Sequence, residues 1–359
     1  MSRVAGSMHG LPGRLTRRAL KSGAALVPRP SRAARSWLSG GRSRSARVLV
    51  LGYHRVVDDI GRAERQTTDG MVVSAGTFRR HLELLQSRSD VVSLAEAGAI
   101  LRGEAEAPVR PAVAVTFDDG YRDVHDRAWP ILREMGMPAA VFVSTGGIGT
   151  ARWFDHDLLF WYVQQARRRG RNLLRPLTAA GLDTSEAAAI AAESDLARQC
   201  DRLVFQPISR RQAILVRLSD ALGEPRPDQG DDFARLDWTM IGAMAGAGIT
   251  IGAHGVHHAV LPLEDEQTRI DEIEGSRRAL AGHLGQPVRC FAYPNGRYDP
   301  AAADVIRRLG FELAITSEPR TNLPGCDLAQ LGRLLLCEES TRGITGRYSP
   351  AVARLRMGV

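Results

Sequence analysis

Nowhere in the 359 residues do 18 consecutive apolar residues occur, so no membrane-spanning helix is expected. Cysteine is scarce: Cys200, Cys290, Cys326 and Cys337 stand far apart, with no Cys-x-x-Cys pair. That excludes a disulfide framework and a thiolate zinc site and leaves a few buried thiols as the expectation. Acidic residues are missing altogether from residues 1–47, which carry 11 of the 48 Lys and Arg. The other 37 basic residues face 40 acidic ones, so the formal charge of +8 belongs to the arm and the remainder carries −3. A body without a basic surplus argues against a nucleic-acid partner. Its 44% hydrophobic content suffices for one large core or two smaller ones.

Residues 1–46 read as a basic arm rich in Arg, Ser, Gly and Ala. The cluster Ala24-Ala25-Leu26-Val27 ends at Pro28, too short for the apolar region of a secretory signal. Leu11, Leu15, Leu20 and Leu26 leave two readings open. The arm is disordered, or it is a basic amphipathic helix on an anionic membrane surface. The expected location is the cytoplasm, peripheral to the inner membrane if the arm binds lipid.

From residue 47 to about 345 strand-like and helix-like segments alternate. Strands are expected at Arg47–Gly52, Ala112–Phe117, Ala139–Ser144, Ile249–Ala253, Val288–Tyr293, Leu313–Thr316 and Leu331–Leu336. Helices are expected at Asp123–Met135, kinked at Pro130, at Trp238–Ala247 with Asp237 as N-cap, at Glu264–Leu284 and at Ala301–Leu309. Alternation of this kind implies a mostly parallel α/β sheet. Residues 150–236 interrupt it and read as a helical insertion growing from a rim loop. Its aromatic start (Trp153, Phe154, Phe160, Trp161, Tyr162) either packs the insertion onto the body or lines a cleft. Residues 346–359 read as a C-terminal tail.

The unusual polar residues all follow strands: His54, Asp118-Asp119, His254 with His257-His258, and Asn295-Gly296. In a closed parallel barrel such positions converge on one rim, where active sites sit. Two adjacent carboxylates inside a strand would bury a charge at high cost, whereas at its carboxyl end both can reach a cleft. A catalytic zinc site takes three protein ligands and leaves a position for water. His254 with His258, four apart on a helical turn, or His254 with His257, three apart, would supply two of them. Asp119 would be the third. Asp118 would then be free as general base, since a carboxylate on a cation loses basicity and its neighbour keeps it.

These residues resemble the polysaccharide deacetylase family (NodB-homology, carbohydrate esterase family 4). Its T-F-D-D-G motif stands as Thr116–Gly120, and its H-[S/T]-x-x-H motif as His254–His258 with Gly255 in the Ser/Thr place. Its R-x-P-Y-G motif looks like Ala292-Tyr293-Pro294-Asn295-Gly296. The resemblance implies a distorted (β/α)7 barrel, Asp118 as base, and one divalent ion on Asp119, His254 and His258. Zn2+ is the expected ion, with Co2+, Mn2+ or Ni2+ as substitutes. It also implies an oxyanion donor in the backbone N–H of Asn295, with Tyr293, Pro294 and Gly296 around it. The family's Arg in the third motif is Ala292 here, and Arg333 near the last strand is the candidate to supply that charge. The family's C-terminal Leu-x-His acid is absent, for no His follows His283. Tyr53-His54-Arg55-Val56 resembles the Y-H-x-V segment of exopolysaccharide deacetylases, which makes His54 the candidate acid. The expected reaction removes N-acetyl groups from amino sugars of a bacterial polysaccharide or its lipid-linked precursor. Deformylation or O-deacetylation of a small or lipid-linked sugar is the nearest alternative, and a non-catalytic glycan-binding barrel is an alternative of another class.

Overall fold

The six-residue runs VLVLGY and AVAVTF are apolar on both faces, a pattern that suits a parallel strand covered on both sides. In the computed structural model, which describes residues 47–68, 70–150, 152–223 and 233–359, these runs are neighbouring parallel strands, β1 (Val48–Tyr53) and β5 (Ala112–Phe117). The basic arm lies outside the described residues. Among the described residues no helix is long and apolar enough to cross a membrane.

The main sheet continues through β6 (Ala140–Val143), β7 (Thr250–Ala253), β8 (Cys290–Ala292) and β9 (Leu313–Ile315), all parallel, while β10 (Leu334–Leu335) pairs the free edge of β1. Leu331, just before β10, bridges Ile315 of β9. Its N–H donates to the Ala314 carbonyl, and its carbonyl accepts from the Thr316 N–H. The seven strands thus curl back on themselves as a distorted (β/α)7 barrel. The distortion has a visible source: a two-residue strand β4 (Asp90–Val91) pairs the start of β5, so β6 pairs only its end.

Alternation along the strands divides the core. Leu49, Leu51, Tyr53, Val113, Val115 and Phe117 pack outward against helices. Val48, Val50, Ala112 and Ala114 share a second cluster with Phe142, Ala292 and Ile315 from other strands, which is the barrel interior. Burying such side chains stabilises by about 1.5–3 kcal/mol each.

Several elements depart from expectation. A small parallel pair, β2 (Arg55–Val57) with β3 (Val72–Ser74), and the helices Ala75–Arg88 and Leu94–Arg102 lie where no element is expected. Asp123–Met135 is not one kinked helix but a wide π turn, Val124–Ala128, running into the helix Trp129–Glu134. Pro130 in the first turn has no N–H to donate backward, which favours this arrangement. The C-terminal segment is no loose tail: Pro350–Met357 is a helix whose Ala353 and Met357, four apart, enter the outer core.

The insertion builds helices Asp155–Arg168, Leu174–Ala179, Thr184–Ala191, Leu196–Val204 and Ile208–Leu222 around a core of its own. Trp153, Phe154, Phe160 and Tyr162 are buried in that core, so the aromatic start packs the insertion, and the Phe154 ring also lies 6.1 Å from the His258 ring.

Candidate active site

Asp118 is the first residue past β5, and its N–H donates to the Tyr53 carbonyl at 2.9 Å. Asp119 then takes a left-handed backbone (φ 73°) that turns its carboxylate inward. Both carboxylates are buried. Arg333, fully buried, grips Asp118 with both prongs of its guanidinium: Nη1 donates to Oδ1 at 2.7 Å and Nη2 to Oδ2. Its Nε donates to the Thr316 carbonyl at 3.2 Å, which fixes the plane of the fork. Gly52 on β1 is required beside it, since a Cβ there would lie 2.9 Å from Arg333 Cδ and 2.6 Å from a Leu335 methyl. Burial alone would raise the Asp118 carboxyl; Arg333, and then His254, hold it below the ordinary carboxylate range instead. The charge that Ala292 cannot provide therefore comes from Arg333.

His254 follows β7, and its Nδ1 is 2.7 Å from the Ala292 carbonyl. That bond leaves Nε2 facing Asp119 Oδ1 at 3.4 Å, while His258 Nε2 faces the same oxygen at 3.2 Å. The expected helical turn over 254–258 is not there. The segment is an irregular bend, and the two rings converge because Gly255 (φ 76°) and His258 (φ 56°) are left-handed. His257 points away: its half-exposed ring bonds Glu272 at 2.7 Å.

The residues fit a divalent ion. Both Asp119 oxygens are buried without a hydrogen-bond partner, a costly arrangement for a carboxylate unless a cation completes it. The donors of Asp119, His254 and His258 all lie within 4.8 Å of one another. Separations of 3.2 and 3.4 Å match the edge of about 3.4 Å of a tetrahedron whose corners sit about 2.1 Å from one ion. Burial lowers His258; it also pulls His254 down, but there Asp118 and Asp119 outweigh it and raise the imidazole. An ion bound there would take the place of a proton between the rings and Asp119.

His54 stands directly after β1, within electrostatic range of Asp118 and Asp119, and its buried Nδ1 has no hydrogen-bond partner. Asn295 tops the turn after β8 in left-handed backbone (φ 54°), exposed at the same rim, and Gly296 closes that turn onto the Tyr293 carbonyl. Tyr293 and Pro294 are buried, and the Tyr293 hydroxyl donates to the Ala329 carbonyl at 2.8 Å. The Tyr293 side chain thus ties the turn to the segment before the last strand, and Pro294 lies beside Gly255 of the His254–His258 bend.

A second polar group comes from the insertion. The Tyr121 hydroxyl donates to Asp157 at 2.6 Å and meets His156 Nε2 at 2.8 Å. The His156 ring stacks on Phe154 and lies 5.3 Å from the His258 ring. Arg55 lies over the Tyr121 ring and pairs with Asp123 at 2.9 Å. No motif marks His156 and Asp157 in sequence; their only signal is an Asp-His-Asp triplet, Asp155–Asp157, inside an aromatic run, whereas Tyr121 directly follows the T-F-D-D-G motif and Arg55 stands within Y-H-x-V. Burial, with a smaller push from Asp119, raises the Asp157 carboxyl from 3.8 to about 7 against the pull of Arg55. Over that window the folded chain holds a proton the unfolded chain has released, so this group's contribution to stability falls as pH rises and is level above about 7. Asp157→Asn cannot titrate. Its melting temperature relative to wild type should therefore improve from about pH 5 to pH 7 and then stay constant. A difference independent of pH would refute the assignment.

Comparison with known proteins identifies the family. A family profile described as polysaccharide deacetylase matches residues 105–193 and 208–314, more than half of the chain. The chain belongs to the polysaccharide deacetylase family. The matched spans contain Asp118, Asp119, His254, His258 and Asn295, whereas His54 and Arg333 fall outside them. YxkH of Bacillus subtilis (strain 168), whose name places it among polysaccharide deacetylases, is 24% identical over 106 residues, 30% of this chain and 35% of that protein's length. Among solved structures, the Streptococcus pyogenes deacetylase PplD in complex with acetate is similar with a TM-score of 0.56 at 18% identity, over 87% of this chain and 99% of its own. IcaB from Ammonifex degensii gives 0.54 at 22% identity, over 86% and 97%. At these identities the two structures speak for the fold alone.

Proposed function

We propose that this deacetylase removes the N-acetyl group from an amino sugar of a bacterial surface polysaccharide or its lipid-linked precursor. The observation that carries the reading is the pairing of an Arg-clamped carboxylate, Asp118, with an unsatisfied Asp-His-His donor set beside it on the rim of a polysaccharide deacetylase barrel. Asp119, His254 and His258 would hold one divalent cation, Zn2+ by the chemistry of the donors. Such an ion, when bound, polarises the amide carbonyl and makes water more acidic.

The chain's own residues supply the proton traffic. Asp118, kept ionised by Arg333, takes a proton from the water whose oxygen attacks the acetyl carbon. The Asn295 N–H donates to the oxygen on which charge develops. The C–N bond breaks once the nitrogen receives a proton, which His54 provides. Acetate and a free amino sugar leave, with one water consumed.

The test is product analysis of purified protein supplied with Zn2+, Co2+ or Mn2+ on a panel of N-acetylglucosamine glycans. Acetate release by mass spectrometry, abolished by a chelator and restored by the ion, is the expected result. Formate release from an N-formyl sugar without acetate release would replace the reading with deformylation. Stoichiometric metal without turnover on any acylated glycan would replace it with a binding role.

A further inference from the structure

The bend that carries His254 and His258 has nearly every backbone polar group assigned, and the assignments come from three separate elements. The end of β6 takes the first part: His254 N–H donates to Val143, Ser144 Oγ to the His254 carbonyl, Thr145 N–H to Gly255, and Gly146 N–H to Val256. The helix Glu266–Leu284 takes the N–H groups. Buried Glu272 accepts from Val256 N–H at 3.0 Å and from His257 N–H at 2.9 Å. Gly255 sits where it does for that carboxylate, since a Cβ there would be 2.9 Å from Glu272 Oε2. Among the described residues, the last two carbonyls have no partner in the barrel. Arg211, on the insertion helix Ile208–Leu222, donates through Nη2 to His257 O at 3.1 Å and to His258 O at 3.3 Å.

Arg211 is built for that contact. Its side chain is buried, and its Nε is anchored on Asp155 at 3.0 Å, itself held by Gln212 at 2.8 Å. A guanidinium can span a carboxylate and two carbonyls at fixed angles, which an ammonium cannot. His258 needs such a grip. It is in a left-handed conformation, which persists only where the surrounding structure over-determines it, and in that conformation its Nε2 faces Asp119 Oδ1 at 3.2 Å.

We propose that Arg211 is a positioning residue for His258, through which the insertion sets the affinity of the barrel for its metal. The inference rests on the metal reading of Asp119, His254 and His258. It gives the insertion a task that its own core does not explain: without Arg211, His254 keeps its bonds to the barrel, whereas the carbonyls of His257 and His258 lose their side-chain donor. Loss of such an outer contact to a ligand costs about 10–100-fold in metal affinity.

The experiment titrates the metal-free protein with Co2+, followed by its visible absorption, and records the melting temperature with and without the ion. Wild type should bind one Co2+ and gain melting temperature from it. Arg211→Met should bind at least about tenfold more weakly and lose most of that gain, since ligand-induced stabilisation scales with the logarithm of affinity. Arg211→Lys, which keeps the charge but cannot bridge both carbonyls, should fall between the two, and it carries the measurement if the Met variant does not fold. Arg167→Ala is the control. It breaks bonds inside the insertion to Gln199, Glu193 and Ser194 without touching the bend, so it should lower both melting temperatures alike and keep wild-type affinity. Arg211 variants that bind Co2+ within twofold of wild type, or an Arg167→Ala loss as large as theirs, would overturn the inference alone. A wild-type chain that binds no divalent ion would overturn the metal reading and the inference with it.

Discussion

Asp118→Asn should lose about 10²-fold or more in kcat while binding its divalent ion as tightly as wild type. The amide has nearly the shape of the carboxylate but cannot take a proton, and a positioned general base contributes about 10²–10⁴-fold. Metal affinity should hold because Asp118 is spent on Arg333 and the donor atoms that converge belong to Asp119, His254 and His258. Asp119→Asn is the contrast, expected to lose the ion and the rate together. If Asp118→Asn kept a near-normal rate while Asp119→Asn lost rate but not metal, the two roles would be exchanged. The Arg333 fork adds a pH signature. Burial alone would raise the Asp118 carboxyl, and Arg333 is the largest influence opposing it. In Arg333→Met that pull is gone, so Asp118 becomes protonated at a higher pH and the acid limb of kcat/KM moves upward. The same variant leaves a buried carboxylate without its partner, which costs about 3–5 kcal/mol of stability. A pH profile that does not move in a folded Arg333→Met protein would show that the fork does not tune the base.

The contrast between these residues and the insertion shows what can be read from a sequence of this kind. Asp118 and Asp119 are legible because an apolar strand that ends in two carboxylates has no inexpensive structural use. His254 and His258 are legible as a pair, but their geometry is not. Spacing suggests a helical turn, whereas the convergence comes from left-handed backbone at Gly255 and His258, held by residues as far away as Arg211 and Glu272. Arg333 is half legible: the missing Arg at Ala292 creates a demand, and an Arg after the last barrel turn meets it. That Tyr121 meets His156 and Asp157 is not legible, because a contact between Tyr121 and a residue 35 positions later depends on how an insertion folds back onto its rim. The small β2–β3 pair escapes for a related reason, since three-residue strands carry too few positions for a period to show. Sequence spacing reports on strand ends, where topology forces convergence. It is silent where the loops themselves decide which side chains meet.

His54→Ala should cut kcat on an N-acetyl amide far more than on an activated acetyl ester. Amine departure requires a proton on nitrogen, whereas the leaving group of an activated ester departs as an anion. A general acid is therefore worth about 10²–10⁴-fold on the first substrate and little on the second. Position is what proposes His54 for the role. It directly follows β1, whose neighbour β5 delivers Asp118 and Asp119, and its Nδ1 is buried without a hydrogen-bond partner. A buried imidazole nitrogen with nothing to bond is unfavourable in a merely structural histidine. The other nearby histidine, His156, is less suited. Its Nε2 meets the Tyr121 hydroxyl at 2.8 Å, and burial holds its imidazole well below the usual range, so the ring is neutral near pH 7 and has no extra proton to give. His156→Ala should accordingly spare the ratio of amide to ester turnover that His54→Ala collapses. Equal losses on both substrates in His54→Ala would assign that residue to packing, and a collapsed ratio in His156→Ala instead would move the acid from the barrel to the insertion.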